Sequence, residues 1–245
     1  MASAEIAQRL FVAAPLAAGA TVAVTDDQAH YLLHVLRLKA DTAVAVFNGR
    51  DGEWRAAVRP SGKKKCNLEI ALQLRPQAAE PDVWLAFAPL KKARIDLVAE
   101  KATELGVAVL QPVITRHTNA ERVNVERLGA IAIEAAEQCE RLSVPAIRPV
   151  AALDDLMVAW PKNRRLFVLD ERGGGVPIAA AVQKHIGEPC GFLAGPEGGF
   201  SIDEIESLRR HPAVTTIGLG RRILRAETAC IAALSCWQAF AGDWR

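Results

Sequence analysis

The sequence predicts an α/β protein in two parts, a small β-barrel over residues 1–75 and a larger α/β domain over 82–245. Three observations predict it. Short apolar runs punctuated by tight turns fill the first part, whereas strand-like and helix-like patterns alternate in the second. Between them, Arg75-Pro76-Gln77-Ala78-Ala79-Glu80-Pro81 sets two prolines around a small polar stretch, a linker composition. A chain of 245 residues is long enough to bury two modest cores.

In the first part, Thr21 to Val24 reads as a strand. Asp26 and Asp27 then stand where they can cap a short helix, Ala29 to Leu36. Thr42 to Phe47 alternates as a strand and runs into Asn48-Gly49-Arg50-Asp51-Gly52, a hairpin signal. Glu53 to Val58 is the return strand. Pro60-Ser61-Gly62 turns again, and Asn67 to Leu72 is a further strand.

The second part opens with an apolar strand, Val83 to Ala88. A helix follows over Lys92 to Leu105, where Ile95, Val98, Ala102 and Leu105 recur at helical spacing before Gly106. Strands are expected at Val107 to Ile114, Ala146 to Val150, Arg165 to Leu169, Phe192 to Ala194 and Val214 to Leu219. Helices are expected at Val125 to Cys139, Leu153 to Trp160 and near Ile178 to His185. Ser201 and Glu204 form a capping box for a helix from Ile202 to Arg210, and the last helix runs from Glu227 to Ala239. Such alternation implies a mostly parallel sheet covered on both faces.

Composition narrows the function classes. With 51% apolar and 24% charged residues the balance is that of an ordinary globular protein. The net charge of +2 does not by itself argue for nucleic acid, although residues 1–76 hold ten Lys and Arg against seven Asp and Glu. The five cysteines form no Cys-x-x-Cys pair, which suits reduced thiols and a cytoplasmic protein. The first ten residues contain Glu5 and Arg9 and lack the apolar core of a signal peptide; no stretch is long enough to span a bilayer. His30 and His34 share a helical face without a third ligand, so packing is expected there and no metal.

Two glycine-rich patches near the C-terminus carry the chemistry. Gly195-Pro196-Glu197-Gly198-Gly199 follows one strand, and Leu219-Gly220-Arg221-Arg222-Ile223-Leu224-Arg225 follows another. The first lacks the Gly-Lys-Ser/Thr ending of a P-loop, Gly173-Gly174-Gly175 lacks dinucleotide-binding spacing, and no Gly-x-Ser-x-Gly occurs. What these loops offer is backbone that can approach a flat ring, with Leu193, Leu219, Ile223 and Leu224 as apolar walls. A heterocycle such as adenine suits them, and a nearby carboxylate suits a cationic group. The alternative is a pair of turns that merely close the sheet.

Gly195-Pro196-Glu197-Gly198-Gly199-Phe200-Ser201, followed by Leu219-Gly220 and Arg222-Ile223-Leu224-Arg225 with Glu227-Thr228-Ala229, resembles the RsmE family of 16S ribosomal RNA uridine methyltransferases. That family belongs to the SPOUT class. His34-Val35-Leu36-Arg37, Lys101 to Gly106 and Glu137 to Arg141 extend the likeness, and Ala226 stands where threonine is also common. The resemblance implies a PUA-like β-barrel followed by a SPOUT α/β domain with a C-terminal trefoil knot. It also implies a homodimer, S-adenosylmethionine as cofactor, and methyl transfer to N3 of a uridine in the small-subunit RNA.

Under that resemblance the cofactor residues are Leu169, Leu193, Gly195, Pro196, Gly199 and Leu219, with Gly220, Ile223, Leu224, Thr228 and Ala229. Thr228 can instead bond its own backbone. Arg225 is the main catalytic candidate, because a guanidinium beside the uracil oxygens would stabilise the anion left when N3 loses its proton. Glu197 and Glu227 are candidate proton acceptors, and Glu227 also suits a helix N-terminus. Gln138 and Arg141 can reach a base or a phosphate, or simply cap their helix. RNA phosphates would be gripped by Arg9, Arg37 and Lys63 to Lys65 in the first part, and by Lys91, Lys92, Arg94, Arg116 and Arg141 beyond it. Each of these cations is otherwise a solvated surface charge. Two other functions are compatible with the residues: a SPOUT enzyme acting on another RNA, such as a tRNA ribose, and a non-catalytic RNA-binding assembly factor.

Overall fold

The computed structural model describes residues 6–62, 65–119, 122–172 and 174–245, with Lys92 described in its backbone alone. The expected cations Lys63 and Lys64, the side chain of Lys92, and Gly173 therefore lie outside the described residues. The chain divides into two compact units, Met1–Ala79 with Ala136–Val144, and Glu80–Ala135 with Pro145–Arg245.

The first unit is a five-stranded sheet. Its strands are β1 (Arg9–Phe11), β2 (Thr21–Ala23), β3 (Ala43–Phe47), β4 (Glu53–Pro60) and β5 (Cys66–Arg75), in the order β1-β3-β4-β5-β2. β1 pairs in parallel with β3 and the other pairings are antiparallel. Register shifts between Glu53 and Trp54 and between Arg55 and Ala56 bend β4, as bulges do. The sheet closes over Val44, Val46, Val58, Leu68 and Ile70, with Leu32 packed against them. β1 escapes sequence reading because three residues show no alternation. Helix α1 (Asp26–His30) begins earlier than its sequence suggests. The N-cap is Thr25, not an aspartate: its hydroxyl accepts from the Gln28 amide while the Gln28 side chain accepts from the Thr25 amide. The chain then continues as one π-helical turn, Tyr31–Val35, and leaves it through Arg37 at φ 55°.

Two of the expected RNA-contacting cations are internal to this unit. Arg9 is 9% exposed; its guanidinium pairs with Glu53, donates to the carbonyls of Ala136 and Arg141, and lies 3.9 Å over the Phe47 ring. Arg141 is equally buried and donates from Nε to the Ser143 hydroxyl at 3.1 Å. Neither can reach a phosphate without dismantling the core around it. Arg37 and Gln138 are exposed.

Glu53 also accepts from Arg75 at 2.7 and 2.9 Å. Burial by itself pushes the Glu53 carboxyl up, but the hydrogen bonds from Arg75 and Arg9 outweigh it and hold the group below the usual carboxylate range. The unfolded chain therefore takes up this proton first. The contribution of Glu53 to stability is complete above an ordinary glutamate value of about 4.3 and is lost as pH falls through the folded value. Urea unfolding across that acid range is expected to show a shallower pH dependence in Glu53→Gln than in the wild-type chain.

The second unit is a parallel sheet. In chain order it contains β6 (Val83–Phe87), α2 (Lys92–Glu104), β7 (Val109–Ile114), α3 (Val125–Gln138), β8 (Ala146–Ile147), β9 (Ala151–Ala152), α4 (Leu153–Ala159) and β10 (Arg165–Leu169). Then come β11 (Val176–Pro177), α5 (Ile178–Val182), β12 (Cys190–Ala194), α6 (Ile202–Arg210), β13 (Val214–Gly218) and α7 (Ala226–Phe240). The last residues of α3 belong to the first unit. Strand order is β11-β13-β10-β12-β6-β7-β8, with β9 also paired to β7.

The two-residue period of a strand assigns side chains to two cores. On one face Leu85, Phe87, Phe167, Leu169, Phe192 and Ile217 pack with Val98, Val182 and Leu234 from α2, α5 and α7. On the other Trp84, Ala86, Leu166, Val168 and Leu193 pack with Leu156 from α4 and with Ile205 and Leu208 from α6. Cys190 and Cys230 are buried in the first of these cores, and burial raises both thiols to about 12, so they are inert packing groups. No helix among the described residues is long and apolar enough to cross a membrane.

Candidate functional site

Strand order builds the site. β13, β10 and β12 are adjacent and parallel, so their carboxyl ends lie along one edge of the sheet. The three loops that leave them enclose a cavity of about 240 Å³. Open parallel sheets bind ligands at such edges. Leu169, Asp170 and Glu171 come from the first loop, Ala194 to Glu197 and Gly199 from the second. Ile217, Leu219, Gly220 and Arg222 to Ala226 come from the third, and Ala229 from α7 closes the wall.

Glycine is favoured at two of these positions. Gly199 (φ 68°) and Gly220 (φ 100°) hold backbone that side-chain-bearing residues rarely adopt, and no heavy atom stands within 4 Å of where a Cβ on Gly220 would project. The second loop is held from outside. Its Gly198 and Gly199 carbonyls lie 3.3 and 3.1 Å from Nδ1 of His117, which follows β7. Helix α6 begins at once after it, with Ser201 and Glu204 forming the capping box that the sequence announces. Glu204 also accepts from the Arg116 amide at 2.8 Å. Burial pushes the Glu204 carboxyl up, but the Arg116 and Ser201 amides and the Ser201 hydroxyl bring it below its ordinary range.

Of the residues expected to hold a ligand, Leu169, Gly195, Pro196, Gly199, Leu219, Gly220, Ile223, Leu224 and Ala229 line this one cavity. Leu193 does not. It precedes Ala194 by one residue, so the strand period turns its side chain into the opposite core beside Phe200 and Ile205. Thr228 does not line it either; it is exposed on the first turn of α7. Asp170, Glu171, Ile217 and Arg222 do line it without being expected from the sequence. The available signal was the acidic pair directly after the Arg165–Leu169 strand, a third carboxyl end beside the two glycine loops.

The charges around the cavity are of both signs. Asp170 is buried, pairs with Arg209 at 2.7 Å and accepts from the Arg172 amide at 3.0 Å, so its charge is already compensated. Glu171 is exposed. Arg225 is the N-cap residue of α7 and is exposed, with no side-chain partner among the described residues. Its guanidinium is free to meet an anion. Glu197, also exposed, meets the Arg94 guanidinium at 3.3 Å, and the same guanidinium lies 3.4 Å from the buried Glu227. Arg94 is thus committed to two carboxylates, whereas the phosphate role expected for it would need a free guanidinium. Lys91 and Arg116 are exposed, the latter 3.8 Å from Asp203. Apolar walls, approachable backbone, carboxylates and a free guanidinium together suit a flat heterocycle joined to a cationic centre, next to a substrate that becomes anionic.

Among the described residues no group of three or more His, Cys, Asp or Glu is placed to hold a metal ion. The ring centroids of His30 and His34 lie 5.2 Å apart, with the planes tilted by 35°.

Comparison with known proteins gives the same direction. Residues 78–238 match the model of an RNA methyltransferase domain, and residues 24–71 that of an RNA methyltransferase PUA domain. The chain is 34% identical over 233 residues to the ribosomal RNA small subunit methyltransferase E of Rickettsia conorii, covering 93% of each chain. Among solved structures it superposes on a ribosomal RNA small subunit methyltransferase E from Neisseria gonorrhoeae bound to S-adenosyl methionine. The TM-score is 0.89 at 25% identity, covering 97% of this chain and 99% of that one. A putative methyltransferase from Legionella pneumophila in complex with the cofactor SAM matches with TM-score 0.84 at 28% identity, covering 94% and 96%. The motif resemblance around residues 195–201 and 219–229 thus extends over nearly the whole chain, and an α/β fold with a PUA domain accompanies it. On these matches the chain belongs to the RNA methyltransferase family of the ribosomal RNA small subunit methyltransferase E.

Proposed function

We propose that the protein transfers the methyl group of S-adenosylmethionine to N3 of a uridine in 16S ribosomal RNA of the small subunit. The observation that carries this reading is the convergence of both glycine motifs and the end of β10 on one cavity with Arg225 at its wall. The residues suit the cofactor: Leu169, Ile217, Leu219 and Leu224 offer an apolar slot for adenine, and Glu171 offers a carboxylate to a cation. When bound, the cofactor supplies an electrophilic methyl on a sulfonium.

The chain's own residues then have distinct tasks. The neutral uracil N3 carries a proton and is a poor nucleophile, so its proton must leave before or during attack. Arg225 faces the uracil oxygens and stabilises the developing anion, an effect favoured where the guanidinium has no competing partner. Glu197 takes the N3 proton. The glycine loops orient the donor for in-line attack.

Residues 1–75 act in this reading as an RNA-binding PUA-like barrel, and 82–245 as a SPOUT domain whose C-terminal segment is knotted. The PUA match at 24–71 and the exposed Arg37 support the first assignment. The cavity wall contributed by Leu219, Gly220 and Arg222 to Ala226, reached after β13, supports the second. A homodimer is part of the proposal: Ile223 is 81% exposed in the cavity wall, an apolar side chain that a second copy would cover. A cytoplasmic location, where small ribosomal subunits are met, is part of the same proposal.

The test is labelled methyl transfer to small ribosomal subunits from cells that lack the modification, followed by mass-spectrometric identification of the nucleoside. The expected product is 3-methyluridine. A methyl on a ribose 2′-oxygen, or no transfer by a folded protein that binds the cofactor, would overturn the assignment.

A further inference from the structure

Arg94 occupies an electrostatically unfavourable place. It lies in the first turn of α2, whose N-cap Lys91 makes no side-chain capping bond and whose first turn holds no acidic residue. A cation there opposes the helix dipole. Compensation comes from two other elements. Nη1 of Arg94 lies 3.3 Å from Oε1 of Glu197 in the glycine loop after β12, and Nε lies 3.4 Å from Oε1 of Glu227 in the first turn of α7. Glu227 is 8% exposed, and its Oε2 is buried with no hydrogen-bond partner. A buried carboxylate so poorly served by its surroundings depends on the Arg94 cation beside it. Arg94 therefore meets an anchored carboxylate on one side and, on the other, an exposed carboxylate that lines the cavity.

We propose that Arg94 is a positioning residue of the transfer site, a two-pronged clamp that holds Glu197 in fixed relation to the turn of α7 bearing Arg225. The inference rests on the reading of this cavity as the methyl-transfer site. Arg225 is two residues from Glu227, so the clamp ties the carboxylate and the free guanidinium to one rigid frame. Glu197 engages Arg94 through Oε1, and its Oε2 has no partner among the described residues, which leaves that oxygen for a ligand. A planar guanidinium presents Nε and Nη1 to two carboxylates at once; an ammonium is a single point on a flexible stem and cannot hold both in the same geometry. The competing role for Arg94 is a phosphate grip.

The two roles separate in steady-state kinetics of the full chain on small subunits lacking the methyl group. For a clamp, Arg94→Ala is expected to lower kcat by about 10- to 100-fold, the scale of lost orientation, while KM for the subunit and cofactor affinity by calorimetry stay within about twofold. Arg94→Lys is expected to restore less than half of the lost kcat. Glu197→Gln is expected to lower kcat similarly, and the Arg94→Ala/Glu197→Gln pair no further than either alone, as for residues acting as a unit. If Arg94→Ala folds poorly because Glu227 is left unpaired, Arg94→Ala/Glu227→Gln removes both charges. That double variant is expected to recover thermal stability and keep the kcat loss.

A raised KM with unchanged kcat and a salt dependence reduced by about one unit of slope would assign Arg94 to phosphate and overturn the clamp. Full rescue by lysine, or wild-type kinetics in Arg94→Ala, would overturn it as well. These outcomes differ from failure of the underlying reading, in which the wild-type chain itself transfers no methyl group to the subunit.

Discussion

Replacing Arg225 by alanine is expected to lower kcat for methylation of the small subunit by about 10²- to 10³-fold, the cost of removing one group that faces developing charge. Stability should change by less than about 0.5 kcal/mol, because the side chain is exposed and bonds no other described residue. What Arg225 gives the fold is backbone: its carbonyl accepts from the Ala229 amide at 2.8 Å, a bond that alanine keeps. Cofactor affinity, measured by calorimetry, should be close to that of the wild-type chain, since apolar wall and glycine backbone carry that contact. Loss of kcat with binding and melting temperature intact would place the guanidinium on the reacting base. Loss of cofactor affinity, or kcat within threefold of wild type, would remove Arg225 from the chemistry.

The largest expected effect on stability lies in the first unit. Arg9→Met should destabilise that unit by about 3–5 kcal/mol, the typical cost of removing one partner of a buried ion pair. Glu53 would keep Arg75, but the carbonyls of Ala136 and Arg141 would lose their donor in a place that water does not reach. Hydrogen-exchange protection of the β3 and β4 amides reports this directly. The double variant Arg9→Met/Glu53→Met should recover little of the loss, because it also takes from Arg75 the carboxylate it pairs with and leaves the two carbonyls without a donor. A change below about 1 kcal/mol together with weaker RNA binding would restore the phosphate role that the sequence suggests for Arg9.

Arg9 shows why some functional readings of a sequence fail. Its neighbours at 8 and 10 say nothing about Glu53 or about carbonyls more than a hundred residues away, so its charge reads as a surface charge. Arg141 misleads for the same reason, and Arg94 looks like a phosphate grip because Lys91 and Lys92 stand beside it. Leu193 is a subtler case. It lies one residue from the cavity, and whether it faces in or out depends on which of two sheet faces the strand's parity selects. Conversely, Ser201 and Glu204 were legible, because a capping box closes within four residues. The Thr25 cap is equally local, but Asp26 and Asp27 directly after it are residue types that cap helices as well.

Local order in the chain is what is short in range. It sets the alternation of strands and helices after residue 82, the bounds of β10 and α6, and the glycine loops whose positive φ angles only that residue accepts readily. Tertiary structure decided what depends on pairing between distant segments. It put β10 between β12 and β13, which brings Asp170 and Glu171 to the cavity, and it joined Arg94 to two carboxylates over a hundred residues away. The reason is physical. Helix caps, turns and hydrophobic periods are settled by neighbours within a few residues, whereas strand order, side-chain burial and ion pairing are settled by whichever distant surfaces meet when the cores close.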